Sequence, residues 1–174
     1  MPNIELLLTD FEDVDNIMTW VNDPEVTAYF ATMGNITRTR DQEIAYLSTM
    51  LASKNDRLLS IFIDDEYAGQ CSINQIHWPA FTGRFFMVLT KEFQGRGLAP
   101  KVIFQLLKVA LEDMGLNKIW LIVREDNEKG RHLYKKCGFE TEGVLREEYK
   151  IDDEFINMVR MAILAKEYRR WYKR

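Results

Sequence analysis

Two features of this sequence carry chemistry. The first is the loop Gln94-Gly95-Arg96-Gly97-Leu98-Ala99, which joins an apolar run ending at Leu89 to an amphipathic stretch beginning near Pro100. A helix that starts here presents unpaired backbone N–H groups and a partial positive charge, which together attract an anion. Gly95 and Gly97 let the backbone adopt positive φ and come close to that anion. Pro100 suits the first helical turn, where its missing N–H costs nothing. Arg96 adds a full charge nearby. On spacing alone the loop serves equally well as an ordinary strand-to-helix turn. Two phosphate motifs do not fit: a P-loop needs Lys-Ser/Thr after its last glycine, where Leu98 and Ala99 stand, and the dinucleotide fingerprint needs a third glycine where Pro100 stands.

The second feature follows about 30 residues later. Asn127-Glu128-Lys129-Gly130-Arg131-His132-Leu133-Tyr134-Lys135-Lys136-Cys137-Gly138-Phe139 reads as a short helix opened by Asn127 and closed by Gly138. On the helix alone Tyr134 reads as a core residue packed beside Leu133 and Cys137. His77 reads as a packing or surface residue with a lesser claim to be a base, and His132 as a solvated one. Two histidines and two cysteines at these positions lack the spacing of a metal site, so no metal is expected.

Together the two segments resemble the signatures of the GNAT superfamily of N-acetyltransferases: Gln/Arg-x-x-Gly-x-Gly/Ala, then an Asn that opens a helix and a Tyr before Gly-Phe. Gly143-Val144-Leu145-Arg146 and Phe155 to Met161 are similar to the family's closing strands, and the resemblance is nearest to spermidine and ribosomal-protein N-terminal acetyltransferases. It implies acetyl-CoA as co-substrate, lying where the sheet splays between strands 84–89 and 118–123. The backbone of Met87, Val88 and Leu89 would hold the pantetheine arm. The amides of Gln94, Gly95, Arg96, Gly97, Leu98 and Ala99 would hold the pyrophosphate. Asn127 and Lys129 would touch the cofactor, and Tyr134 would stand beside the sulfur as general acid. The family often places a Glu on the strand before the loop as the start of a proton relay. Arg84 stands about there instead, which puts a direct carboxylate base in doubt and disfavours a polycationic acceptor. The loop from Ala28 to Asn35 also lacks the acidic cluster that a polyamine would call for.

These groups need elements to position them. Ile4 to Leu8 has strand character, with Thr9 or Asp10 capping a helix through Val14, Ile17, Met18 and Val21. Thr37 or Thr39 caps a second helix carrying Ile44, Leu47, Met50 and Leu51. Leu58–Ile63 and Tyr67–Ile76 form a hairpin around Asp64-Asp65-Glu66, and Gly83–Leu89 is a third strand, apolar enough for burial on both faces. Val102, Ile103, Leu106, Leu107, Ala110, Leu111 and Met114 make a helical stripe ended by Gly115. Strand Ile119–Val123, helix Asn127–Cys137 and strands near 140–149 and 154–164 follow. The segment from Lys166 to Arg174 reads as a solvated basic tail. The order predicts a mixed α/β fold, a single domain over 1–174. About four helices flank a mostly antiparallel sheet of about seven strands, with 119–123 parallel to 83–89 through a right-handed crossover. The family resemblance adds the splay in the middle of that sheet.

Bulk properties narrow the function. With 23 basic against 27 acidic residues, the chain lacks the basic excess of a nucleic-acid scaffold. No basic leader and no run of about 18 apolar residues is visible, so a cytoplasmic protein without a membrane span is expected. Two cysteines, Cys71 and Cys137, do not make a disulfide framework. The leading expectation is acetyl transfer to a primary amine, either a small molecule such as a polyamine or amino sugar or a protein N-terminus, by direct attack and with a homo-oligomer allowed. The alternatives are a non-catalytic acetyl-CoA sensor and a nucleotide-binding domain.

Overall fold

A computed structural model describes residues 1–30 and 37–172. Seven strands form one sheet in the order β1-β2-β3-β4-β5-β7-β6. They are β1 (Ile4–Leu8), β2 (Arg57–Ile63), β3 (Glu66–His77), β4 (Thr82–Leu89), β5 (Lys118–Arg124), β6 (Glu140–Ile151) and β7 (Glu154–Leu164). Every neighbouring pair is antiparallel except β4 and β5. The four expected helices are α1 (Val14–Val21), α3 (Arg40–Ala52), α4 (Ala99–Lys108, continued by a π-turn over Val109–Asp113) and α5 (Glu128–Lys136). Asp10 and Thr39, each one of two residues expected as a cap, make capping boxes, Asp10 on the 3-10 turn Phe11–Asp13 that leads into α1 and Thr39 on α3.

Two helices were not legible. Asp23 ends α1 as expected but also caps a short helix α2 (Pro24–Thr27), with Pro24 in its first turn. The segment read as a solvated basic tail is a helix, α6 (Ala165–Tyr172), that docks on the core. Tyr168 is buried there, and its hydroxyl donates to Glu112 at 2.8 Å. The Tyr172 hydroxyl donates to the Cys137 carbonyl at 2.9 Å, tying α6 to the end of α5. Both are tyrosines whose rings pack while their hydroxyls find partners, so a polar appearance conceals an apolar face.

The sheet separates two apolar clusters. On one face Phe85, Leu89, Ile119, Leu121, Met161 and Ile163 pack under α4 and α6. On the other, Leu58 and Val88 pack under α1 and α3, with Phe86 beside them. Strand β4 is thus covered on both faces, as its uninterrupted apolar run predicts. Gly69 sits opposite Leu89 at φ +149°, and a Cβ added there would lie 2.1 Å from the Val88 carbonyl oxygen. Gly69→Ala is therefore expected to cost about 3 kcal/mol of stability, read as a lower denaturant midpoint, because backbone must move to admit the methyl.

Candidate active site

The parallel pairing of β4 with β5 is short. Its rungs are Thr82–Lys118, Gly83–Ile119 and Arg84–Trp120, and none follows. Strand β5 continues alongside β7 as far as Arg124, while β4 continues alongside β3 as far as Leu89. The two halves of the sheet therefore part beyond Arg84, leaving one edge of Phe85–Leu89 open.

The ladder shows which groups face the opening. The Thr90 N–H donates to the Ala68 carbonyl at 2.9 Å. Alternation along an antiparallel pair then puts Val88 and Phe86 in hydrogen-bonded rungs with Gln70 and Ser72. The Val88 carbonyl that would meet a Gly69 Cβ points the same way. On the opposite edge the Arg84–Trp120 rung uses the Phe85 N–H and the Gln94 side chain takes the Leu89 carbonyl, so the Phe85 carbonyl, both polar groups of Met87 and the Leu89 N–H face the gap. This corrects the expectation for Val88, whose polar backbone is spent on β3 and whose side chain lies under α1 and α3. Phe85 takes its place on the open edge, a position that the apolar run alone did not single out.

At the far end of β4 the glycine loop turns into α4. Gly95 and Gly97 have φ of +72° and +70°, and no atom lies within 4 Å of where a Cβ would be on either. The glycines serve backbone conformation and leave open space rather than an internal contact. No side chain caps the start of α4, and its first returning hydrogen bonds come from Lys101 and Val102, both to the Leu98 carbonyl. The amides before them are thus available to an anion. Gln94 departs from the expectation that its amide holds the anion: its backbone N–H donates to the Lys91 carbonyl at 3.3 Å, and its side-chain amide braces the loop by donating to the Leu89 carbonyl at 2.8 Å. Arg96 is exposed, its guanidinium 5.2 Å from the Phe93 ring centre. Leu98 anchors the loop by burying its side chain, with Ala99 packed partly against the same core.

Helix α5 supplies the remaining groups. Asn127 caps it, its side-chain oxygen accepting from the Gly130 N–H at 2.9 Å; among the described residues its amide nitrogen has no protein partner. Lys129 is exposed on the first turn. Tyr134 lies with its ring edge-on to Phe85 at 5.9 Å and to Phe139 at 5.8 Å. Burial, with a smaller effect of Cys137, pushes its phenol up to about 12. The group stays protonated at neutral pH, and among the described residues no hydrogen-bond partner meets its hydroxyl. Phe85 thus brings together the open strand edge and the tyrosine.

Other candidates fall away. His77 is exposed at the end of β3, and His132 is exposed on α5. Cys71 and Cys137 are both buried and free, their thiols pushed upward by burial. On the face under α1 and α3, a cavity of about 350 Å³ opens between α2 and the β6–β7 turn, lined in part by Asn22, Phe30, Arg124 and Ile151. Of the loop from Ala28 to Asn35, residues 31–35 lie outside the described residues. No described helix is long and apolar enough to cross a membrane.

A parted mixed sheet whose open strand edge runs to a glycine-flanked helix start is the frame of the candidate site. The chain belongs to the GNAT acetyltransferases: the family model described as an acetyltransferase (GNAT) domain matches residues 5–140. Spermidine N(1)-acetyltransferase of Escherichia coli K12 is 31% identical over 115 residues, which cover 66% of this chain and 62% of that protein. The chain thus matches less than two thirds of that relative's length. The Vibrio cholerae protein of the same name is 38% identical over 96 residues, 55% of this chain and 54% of that one. A crystal structure of the Vibrio cholerae spermidine N-acetyltransferase in complex with CoA and spermine superposes with a TM-score of 0.89 at 25% identity, covering 95% of this chain and 97% of that one.

Proposed function

We infer that this protein transfers the acetyl group of acetyl-CoA to a primary amine. The observation that carries the reading is the open edge of β4 centred on Met87, with the Gly95–Gly97 loop at one end and the Tyr134 ring against Phe85 at the other. Uncapped amides, free space over both glycines and an open strand edge fit pyrophosphate and a pantetheine arm. Acetyl-CoA would supply an activated acyl group on a good leaving sulfur.

The residues of this chain divide the remaining work. The amides from Gly95 to Ala99 would hold the pyrophosphate, and Arg96 would add charge at the rim. Met87 and Leu89 would bond the arm as a further strand would. Asn127 would offer its free amide nitrogen, and Lys129 a charge near the same helix start. Tyr134 would donate its hydroxyl to the sulfur as thiolate character develops, acting as general acid. The amine faces its own proton problem, since a group of pKa about 10 is only about a thousandth neutral at pH 7. The Arg84 guanidinium at the closing rung favours the neutral amine by like-charge repulsion.

The named relatives put polyamines on the list of acceptors to test, beside amino sugars, aminoglycosides and a ribosomal-protein peptide. Thiol release from acetyl-CoA with matching acetylated amine in the product is the expected result for at least one of them. Saturable acetyl-CoA binding without release for every amine would instead establish a sensor. Protection from melting by ATP or NAD but not by coenzyme A would establish a nucleotide-binding domain.

A further inference from the structure

The rung where β4 and β5 part carries an unusual charge arrangement. Arg84 and Trp120 are register partners there, and the Arg84 guanidinium lies 5.8 Å from the indole centre. Arg160 on β7 approaches the same ring at 4.1 Å. Lys118, two residues before Trp120 on β5, reaches the same carboxylate as Arg160, that of Glu142. Three cations thus gather around one indole and one carboxylate, in a chain whose net charge is −4.

Arg84 has no carboxylate partner among the described residues. The residues outside that set, 31–36 and 173–174, include no Asp or Glu side chain that could supply one. The nearby acids are engaged: Glu43 pairs with Arg38, and Asp56 accepts from Ser53 and from the Gln75 N–H. Arg160 Nε is buried, and at 3.4 Å from Glu142 it makes an ion pair without a hydrogen bond. The neighbouring strand adds two more unpartnered groups. Gln70, Ser72 and Asn74 alternate along β3 opposite Val88, Phe86 and Arg84, so all six share one face. Gln70 is only 5% exposed, yet its amide nitrogen has no partner; nor does the side-chain oxygen of Asn74, whose nitrogen bonds Ser72. Buried polar groups are normally satisfied, so such a row points to a polar ligand on this face.

We propose that the acceptor is a primary amine that itself carries an anionic group, a carboxylate or a phosphate, held by Arg84 with Arg160 in support. The proposal rests on the reading of the β4–β5 gap as the transfer site. An anion over the closing rung relieves the repulsion between the two guanidiniums and gives Arg84 the planar two-donor partner it lacks. A polycation meets the opposite field.

The test uses binding and turnover together. Calorimetry on the coenzyme A complex, with β-alanine, phosphoethanolamine, β-alaninamide and spermidine, is expected to show one of the two anionic amines binding at least about tenfold tighter than β-alaninamide and spermidine. Which of the two it is separates carboxylate from phosphate. Arg84→Gln should abolish that preference without weakening β-alaninamide binding, and Arg84→Lys should keep part of it. Thiol release should follow the same order, with the Arg84→Gln loss appearing in KM. Equal binding of the anion-bearing amines and β-alaninamide, tighter binding of spermidine, or a uniform loss for all four in Arg84→Gln would overturn the proposal. If no amine releases thiol while the Arg84-dependent preference persists, the anion site stands and the transfer reading fails.

Discussion

Tyr134→Phe is expected to lower kcat by about 10²-fold or more while coenzyme A affinity stays within about twofold. The ring's contacts with Phe85 and Phe139 are edge-on and apolar, so phenylalanine keeps them. What disappears is a hydroxyl that no described protein group engages. The variant should melt close to the parent, because no internal hydrogen bond is lost. Steady-state kinetics beside calorimetry of coenzyme A read the two effects separately. Near-parent turnover would remove Tyr134 from the chemistry; a parallel loss of affinity would make it a packing residue.

Gly97→Asp is expected to weaken coenzyme A binding by about 10²-fold, roughly 2.7 kcal/mol, with folding destabilised by no more than about 1–2 kcal/mol. The left-handed φ of +70° disfavours any side chain, though Asp tolerates it better than most. Nothing lies within 4 Å of the new Cβ, so no clash adds to that cost. A carboxylate beside the start of α4 even favours the helix. The same charge would stand where the pyrophosphate is proposed to sit, competing for the amides and repelling the ligand. Calorimetry and a denaturant titration distinguish this outcome from simple unfolding.

Much of the architecture is legible in the sequence because it rests on periodicity. The stripe from Val102 to Met114 and the unbroken run from Phe85 to Leu89 bury themselves in only one way. Helix α6 escaped because Tyr168 and Tyr172 read as a polar tail, although Ala165, Tyr168 and Tyr172 recur at helical spacing. Helix α2 escaped because four residues show no period. The opening between β4 and β5 is an absence of pairing, and no pattern within either strand marks it; the resemblance supplied that expectation. The error over Val88 has a similar origin, since which carbonyls face the gap depends on the register with β3. Arg84 was visible as a departure from its family's pattern, but its neighbours Trp120 and Arg160 come together only across three strands.

The most direct test of this account is a crystal structure of the protein with coenzyme A. The account predicts the pyrophosphate against the amides of Gly95 to Ala99, the arm bonded to Met87 and Leu89 along the open edge of β4, and the sulfur within hydrogen-bond reach of the Tyr134 hydroxyl. Coenzyme A bound outside the β4–β5 gap, or with its sulfur turned away from Tyr134, would contradict it.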